Sequence, residues 1–204
     1  VKNGSFYEKL PKKVKDFDCS GIALTSLHGS PFEVTEYFYC AYNELVTLEG
    51  GPQKVGKRYD CAFNKLNSLK GFPKELNGSF DCTSNFLKTL EGCSVTINGN
   101  FKCSENEITT LEFSPQYIKG TFDCRYNQIS SLKDVHKFIK HVSGDFVLND
   151  PGKHESQKYD NVIKSHILGL MMIHIGGEIC TSLGDRFDVD IILNKWKNQG
   201  RKGV

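Results

Sequence analysis

The sequence lacks a surplus of charge of either sign, a long apolar run and any paired-cysteine motif, and each absence excludes a class of protein. In 204 residues Lys and Arg number 26 and Asp and Glu 24, a net charge of +2. A dedicated nucleic-acid binder normally carries a basic excess or stripe, so nucleic acid is not an expected partner. No apolar stretch approaches the ~18 residues of a membrane span. The longest candidate, Ile167 to Ile175, is interrupted by His174. The lysines between Val1 and Lys13 precede no apolar segment, so no secretory signal is expected. There is no CxxC, HExxH, GxSxG, Walker A or GxGxxG motif, which removes the usual zinc, hydrolase and nucleotide signatures. With 38% hydrophobic and 25% charged residues, the chain can bury a core.

What is present is a ruler. Cys19, Cys40, Cys61, Cys82, Cys103 and Cys124 are spaced by 21 residues. Two residues before each stands an aromatic: Phe17, Phe38, Tyr59, Phe80, Phe101 and Phe122. Three after it stand Asn43, Asn64, Asn85, Asn106 and Asn127, with Ile22 in the first unit. Leu or Ile follows at plus five, Leu at plus eight, Gly at plus ten in four units, Pro at plus twelve in four, and Val, Leu or Ile at plus fifteen. An aromatic and a Cys two apart point the same way from a strand, so both face the core. Successive units then stack as parallel strands roughly 4.8 Å apart. A buried Asn left unpaired costs ~1–3 kcal/mol, so a column of five implies mutual satisfaction with backbone groups that the turning chain leaves unpaired. Gly-x-Pro disfavours helix on the return side, and 21 residues leave no room for a long one.

The unit Φ-x-C-x-x-N-x-L-x-x-L-x-G-x-P resembles the leucine-rich repeat, in the short variety of phage, prophage and bacterial proteins. The resemblance implies a repeat solenoid: a leucine-rich-repeat horseshoe with one parallel β-sheet, a non-helical convex side and a small α-helical C-terminal cap. It further implies a phage accessory protein that sequesters or blocks a host or defence component.

The expected organisation is a solenoid over 1–150 and a capping region of mixed helix and short strand over 151–204. The solenoid has a half-repeat cap at 1–16, six 21-residue units and a final strand at about 142–148. Asn3-Gly4-Ser5-Phe6 copies Asn77-Gly78-Ser79-Phe80, and Phe6 is expected inward. A short irregular or helical insert is expected from Asp134 to Lys140, a helix from Asp160 to Ile173 ended by Gly176-Gly177, a strand from Glu178 to Leu183, and a last helix N-capped by Asp188.

A linear column of thiols cannot surround an ion, and no His pairs with it at ligand spacing, so the cysteines read as small core fillers. No metal, cofactor or catalytic residue is expected, and the chain reads as non-enzymatic. Reduced thiols imply the cytosol of a bacterium or infected host. The expected binding face is the concave sheet, built from outward strand positions. Its candidate residues are Tyr37, Tyr39, Tyr42, Arg58, Asp60, Phe63, Asp81, Lys102, Asp123, Arg125 and Tyr126. Clustered exposed aromatics and Arg are typical interface anchors, so the expected partner is another protein. A scaffold for a small ligand or nucleotide, with the cations holding phosphate, is the alternative, and an enzyme or toxin activity in the C-terminal region a third reading.

Overall fold

Two short strands per 21-residue turn build the molecule. The computed structural model describes residues 3–6, 10–132, 134–148, 173–175, 178–180 and 186–188. The aromatic-x-Cys segments form one line of strands: β2 (Phe17–Asp18), β4 (Tyr37–Tyr39), β6 (Arg58–Asp60), β8 (Ser79–Asp81), β10 (Phe101–Lys102), β12 (Phe122–Asp123) and β14 (Phe146–Val147). They pair in parallel and in register, Phe38 beside Tyr59 and Tyr59 beside Phe80. The fold is therefore a parallel β-solenoid with stacked coils.

The return side is not one bare turn after turn. It carries a second line of strands around the plus-fifteen residue: β1 (Lys13–Val14), β3 (Glu33–Val34), β5 (Lys54–Val55) and β7 (Glu75–Leu76) in one sheet, then β9 (Thr96–Ile97), β11 (Tyr117–Ile118), β13 (His141–Val142) and β15 (His174–Ile175) in another. A single sheet was expected; β-branched side chains at plus fifteen, after a Pro that stops helix, favour the extended pairing seen. The break between β7 and β9 falls where Ser94 replaces Pro. The Ser94 hydroxyl accepts the Thr96 N–H (3.3 Å) and donates to the Thr96 carbonyl (3.1 Å). The matching N–H of Glu75 instead crosses to Gln53 of the preceding coil (3.0 Å).

The core is a set of columns. Phe38, Tyr59, Phe80, Phe101, Phe122 and Phe146 are fully buried, and adjacent rings lie 4.7–5.9 Å apart. The six column cysteines are buried beside them. Cys61 and Cys82 donate weakly to the carbonyl of the next coil, each at 3.3 Å. Each Asn binds its own coil and the coil before it. Asn64 Nδ2 donates to the carbonyls of Cys40 (2.9 Å), Cys61 (3.1 Å) and Ala62 (3.2 Å), and its Oδ1 accepts the Leu45 N–H (3.0 Å). Ile22 stands where the first unit has only a half-repeat before it to serve. Ser and Thr at plus seven form a further column: Ser26, Thr47, Ser68, Thr89 and Thr110 each accept the N–H two residues on. Such short side-chain turns are a property of Ser and Thr.

The ends depart from the expected pattern. Phe6 packs inward on Phe17, with centroids 5.7 Å apart, but residues 3–6 do not copy the strand of Asn77 to Phe80. The Thr25 N–H donates to the Gly4 carbonyl (2.8 Å). Gly4 thus lies one 21-residue period before Thr25, in the plus-six part of a truncated coil. By the same register Phe6 precedes Leu27 by one period, because Phe17 already fills the aromatic position of the first unit. The insert after the sixth unit contains the helix α1 (Val135–Phe138), as expected.

Beyond 150 the solenoid continues. β15 pairs with β13, and β16 (Glu178–Cys180) pairs with β14, so Ile179 falls in the aromatic column beside Phe146. β17 (Arg186–Asp188) runs antiparallel on β16 and closes that side of the sheet. A strand therefore stands at His174–Ile175 where the end of a helix was expected, and Asp188 is the last residue of β17. The Ile-x-Gly-x-Ile of 175–179 repeats the Ile-x-Gly-x-Phe of 118–122; that signal was legible but displaced from the ruler by the long insertion. The expected helices over 160–172 and after Asp188 lie outside the described residues.

Candidate binding face

Strands β4 to β12 line up the residues on either side of each Cys, and these point away from the core. Mid-sheet they are less open than outward positions suggest: Asp81 and Asp123 are only 7% and 6% exposed, because neighbouring coils crowd them. Ala41, Ala62, Thr83 and Ser104 keep the position after each Cys small and form the floor of a shallow depression of about 340 Å³. Of the residues singled out from sequence, Tyr42, Arg58, Asp60, Phe63, Asp81, Lys102, Asp123 and Arg125 line it. Tyr37, Tyr39 and Tyr126 do not. Glu105 does, and was passed over although it shares the plus-two position with Tyr42 and Phe63.

The aromatics form two stacked pairs. Tyr37 and Tyr39 lie along β4 with ring centroids 6.0 Å apart, and Lys57 Nζ sits 5.3 Å from the Tyr37 ring. Tyr42 and Phe63 stack across two coils at 4.5 Å with planes 4° apart. They leave the strands in left-handed backbone, with φ 57° and 54°, and are 63% and 43% exposed. Gly21, Ser84, Glu105 and Tyr126 share that plus-two conformation. For a residue with a Cβ it costs roughly 1–2 kcal/mol. Because it recurs in all six units, the conformation belongs to the turn of the repeat, and what sets Tyr42 and Phe63 apart is the size and exposure of their rings.

The charges form a cross-strand ladder. Asp60 and Asp81 are direct neighbours, an unfavourable pairing by itself. Arg58 resolves it: one Nη bonds Asp60 Oδ2 (2.7 Å) and Asp81 Oδ2 (3.0 Å). Lys102, between Asp81 and Asp123 in register, is 3.9 Å from Asp81. Arg125 holds Asp123 through two bonds, Nε to Oδ1 (2.9 Å) and Nη to Oδ2 (2.7 Å). The aspartates also serve the backbone. Asp18, Asp60, Asp81 and Asp123 each accept, through Oδ1, the N–H two residues on. The Asp column thus has a structural task in every unit that carries it.

The thiols are held as neutral groups. Burial pushes the Cys19 thiol up to about 12, with Asp18 adding to the effect. Burial likewise raises Cys40, Cys61, Cys82, Cys103 and Cys124 well above the ordinary thiol range. A thiolate is the reactive and metal-binding form, so these side chains act as core. Among the described residues no group of three His, Cys, Asp or Glu is placed to hold a metal ion, and no helix is long and apolar enough to cross a membrane.

Comparison with protein-family models, with curated proteins and with solved structures gives no match. The class that the fold defines is the parallel β-solenoid repeat protein, and the reading of its face rests on geometry.

Proposed function

We propose that this chain is a non-enzymatic protein-binding solenoid that recognises its partner through the outer, concave face of the nine-stranded sheet. The observation that carries the reading is the Tyr42–Phe63 stack: two large exposed rings set at the rim of a charge-lined depression. Aromatic rings of this kind bury large area at low entropic cost. The repeat's likeness to the short leucine-rich repeat of phage, prophage and bacterial proteins supports a finer reading: a cytoplasmic phage accessory protein that sequesters or blocks a host or defence component. That step is an analogy of families rather than of sites. Purification of the tagged chain from its native host tests the reading. A stoichiometric protein partner, lost when Tyr42 and Phe63 are replaced together, is the expected outcome. A small molecule released on denaturation, with no protein bound, would reject it.

One observation favours a small-ligand scaffold instead. The volume of the depression reaches the lower end of ligand pockets, ~300–1,000 Å³. Against it, Arg58, Lys102 and Arg125 are all engaged by carboxylates of the same face, which opposes phosphate binding there. An enzyme or toxin activity in the C-terminal region concerns residues that lie largely outside the described ones.

A further inference from the structure

Resting on the protein-binding reading and naming the partner's chemistry, we propose that the face takes an Arg- and Lys-bearing segment of its partner, with one cation laid against the Tyr42–Phe63 stack.

Charge is the first ground. The outward columns carry Asp16, Asp18, Asp60, Asp81 and Asp123, with Glu105 at the rim, against Arg58, Lys102 and Arg125, while Lys57 over the Tyr37 ring is paired with Glu36. The chain as a whole carries +2, so the acidic surplus is local to this face. The three cations lie against carboxylates of the same face, and the Asp60–Asp81 pair needs Arg58 to coexist. An acidic segment would meet Arg58 and Arg125 already bonded to carboxylates, Lys102 3.9 Å from another, and in the depression itself four carboxylates against three cations. A basic segment meets the opposite field, the condition that selects partners and speeds encounter.

The rings are the second ground. Lys57 over Tyr37 shows that a ring of this molecule takes a cation from its own chain. Among the described residues no cation stands over Tyr42 or Phe63, although both are open to solvent. A ring face attracts Arg and Lys, and Arg also stacks on it. The carboxylates of Asp60 and Glu105 line the same depression, so a guanidinium on the stack has acceptors within the same site.

The test uses the intact chain and three fluorescently labelled peptides of equal length on a Gly-Ser framework, bearing alternating Arg, alternating Glu or alternating Gln. Binding is read by fluorescence polarisation at low and high salt. The Arg peptide should bind about tenfold more tightly than the other two and weaken as salt rises. The double substitution Tyr42→Ser with Phe63→Ser should remove about tenfold of that affinity. The fold tolerates it, because Ser84 occupies the same left-handed position. Asp60→Asn, which keeps an acceptor for the Ala62 N–H, should weaken the Arg peptide by a smaller factor. Equal binding of the three peptides, preference for Glu, no binding at all, or an Arg-peptide affinity untouched by the double substitution overturns the inference. The wider reading fails separately. If the peptides fail in one of these ways but the native protein partner is still lost in the double variant, the binding face stands and only the basic segment is wrong. If a small molecule replaces that partner, both are wrong.

Discussion

Replacing Asn85 by Leu isolates the contribution of the Asn column to stability. Asn85 Nδ2 donates to the carbonyls of Cys61 (3.2 Å), Cys82 (3.1 Å) and Thr83 (3.2 Å), and Oδ1 accepts the Leu66 N–H (2.9 Å). The two Cys carbonyls are shared, since Asn64 also reaches Cys61 (3.1 Å) and Asn106 reaches Cys82 (3.0 Å). The Thr83 carbonyl also accepts the Phe63 N–H (2.9 Å). The main cost of Asn85→Leu therefore falls on the Leu66 N–H, which loses its acceptor. One orphaned buried donor costs about 1–3 kcal/mol, and three weakened acceptors bring the expected loss to about 2–4 kcal/mol. Asn85→Asp separates donor from acceptor. It keeps the Leu66 bond but sets a carboxylate against three carbonyl oxygens, so above its pKa it should destabilise more than Leu does. Burial raises that pKa, so the penalty should shrink as pH falls and the introduced carboxyl gains a proton to donate. Urea denaturation of the native chain and the two variants at pH 7 and pH 5 measures this, with exchange of the Leu66 amide as the local probe. An unchanged midpoint for Asn85→Leu, or an Asp variant more stable than the Leu variant at pH 7, would refute the reasoning.

The buried Tyr59 hydroxyl has no hydrogen-bond partner beyond the weak Cys40 thiol beside it, and other coils carry Phe there; Tyr59→Phe should raise stability by about 1 kcal/mol in the same denaturation assay. Replacing Tyr42 by Gly removes the left-handed strain along with a ring, so calorimetry should show stability held within about 1 kcal/mol while partner affinity drops; equal losses of both would make the ring structural. Arg58→Met leaves Asp60 and Asp81 facing each other, and should lower the melting temperature more at low salt than at high salt; a salt-independent loss would point to packing alone. The column thiols are raised above the unfolded range, so their contribution is complete below about pH 8.5 and is lost as pH rises through the folded values. Thermal melts should therefore decline on the alkaline side of that pH, and a flat profile up to about pH 11 would contradict burial of the column.

Whatever repeats with the coil is legible in the chain before it folds. A residue that recurs every 21 positions must meet its copy in the next coil, so Phe38, Cys40, Asn43, Leu45 and Leu48 could be assigned inward from spacing alone. The outward columns were legible for the same reason, as positions that escape the core. The Ser and Thr column at plus seven is equally periodic, yet neither the column nor its turn chemistry was anticipated. Tertiary structure decided what depends on departures from the period. Ser94 splits the return strands because its hydroxyl takes an N–H that another coil would otherwise receive. Gly4 and Phe6 sit in a truncated coil because the first aromatic position is already filled by Phe17. The strand at 178–180 joins the sheet across a long insertion because pairing depends on proximity in space and not on spacing in the chain. The face was decided at the same level. Asp60, Asp81 and Arg58 are three similar outward residues in sequence, and only the close approach of parallel strands, roughly 4.8 Å in any sheet, makes one cation the condition for two carboxylates to stand together.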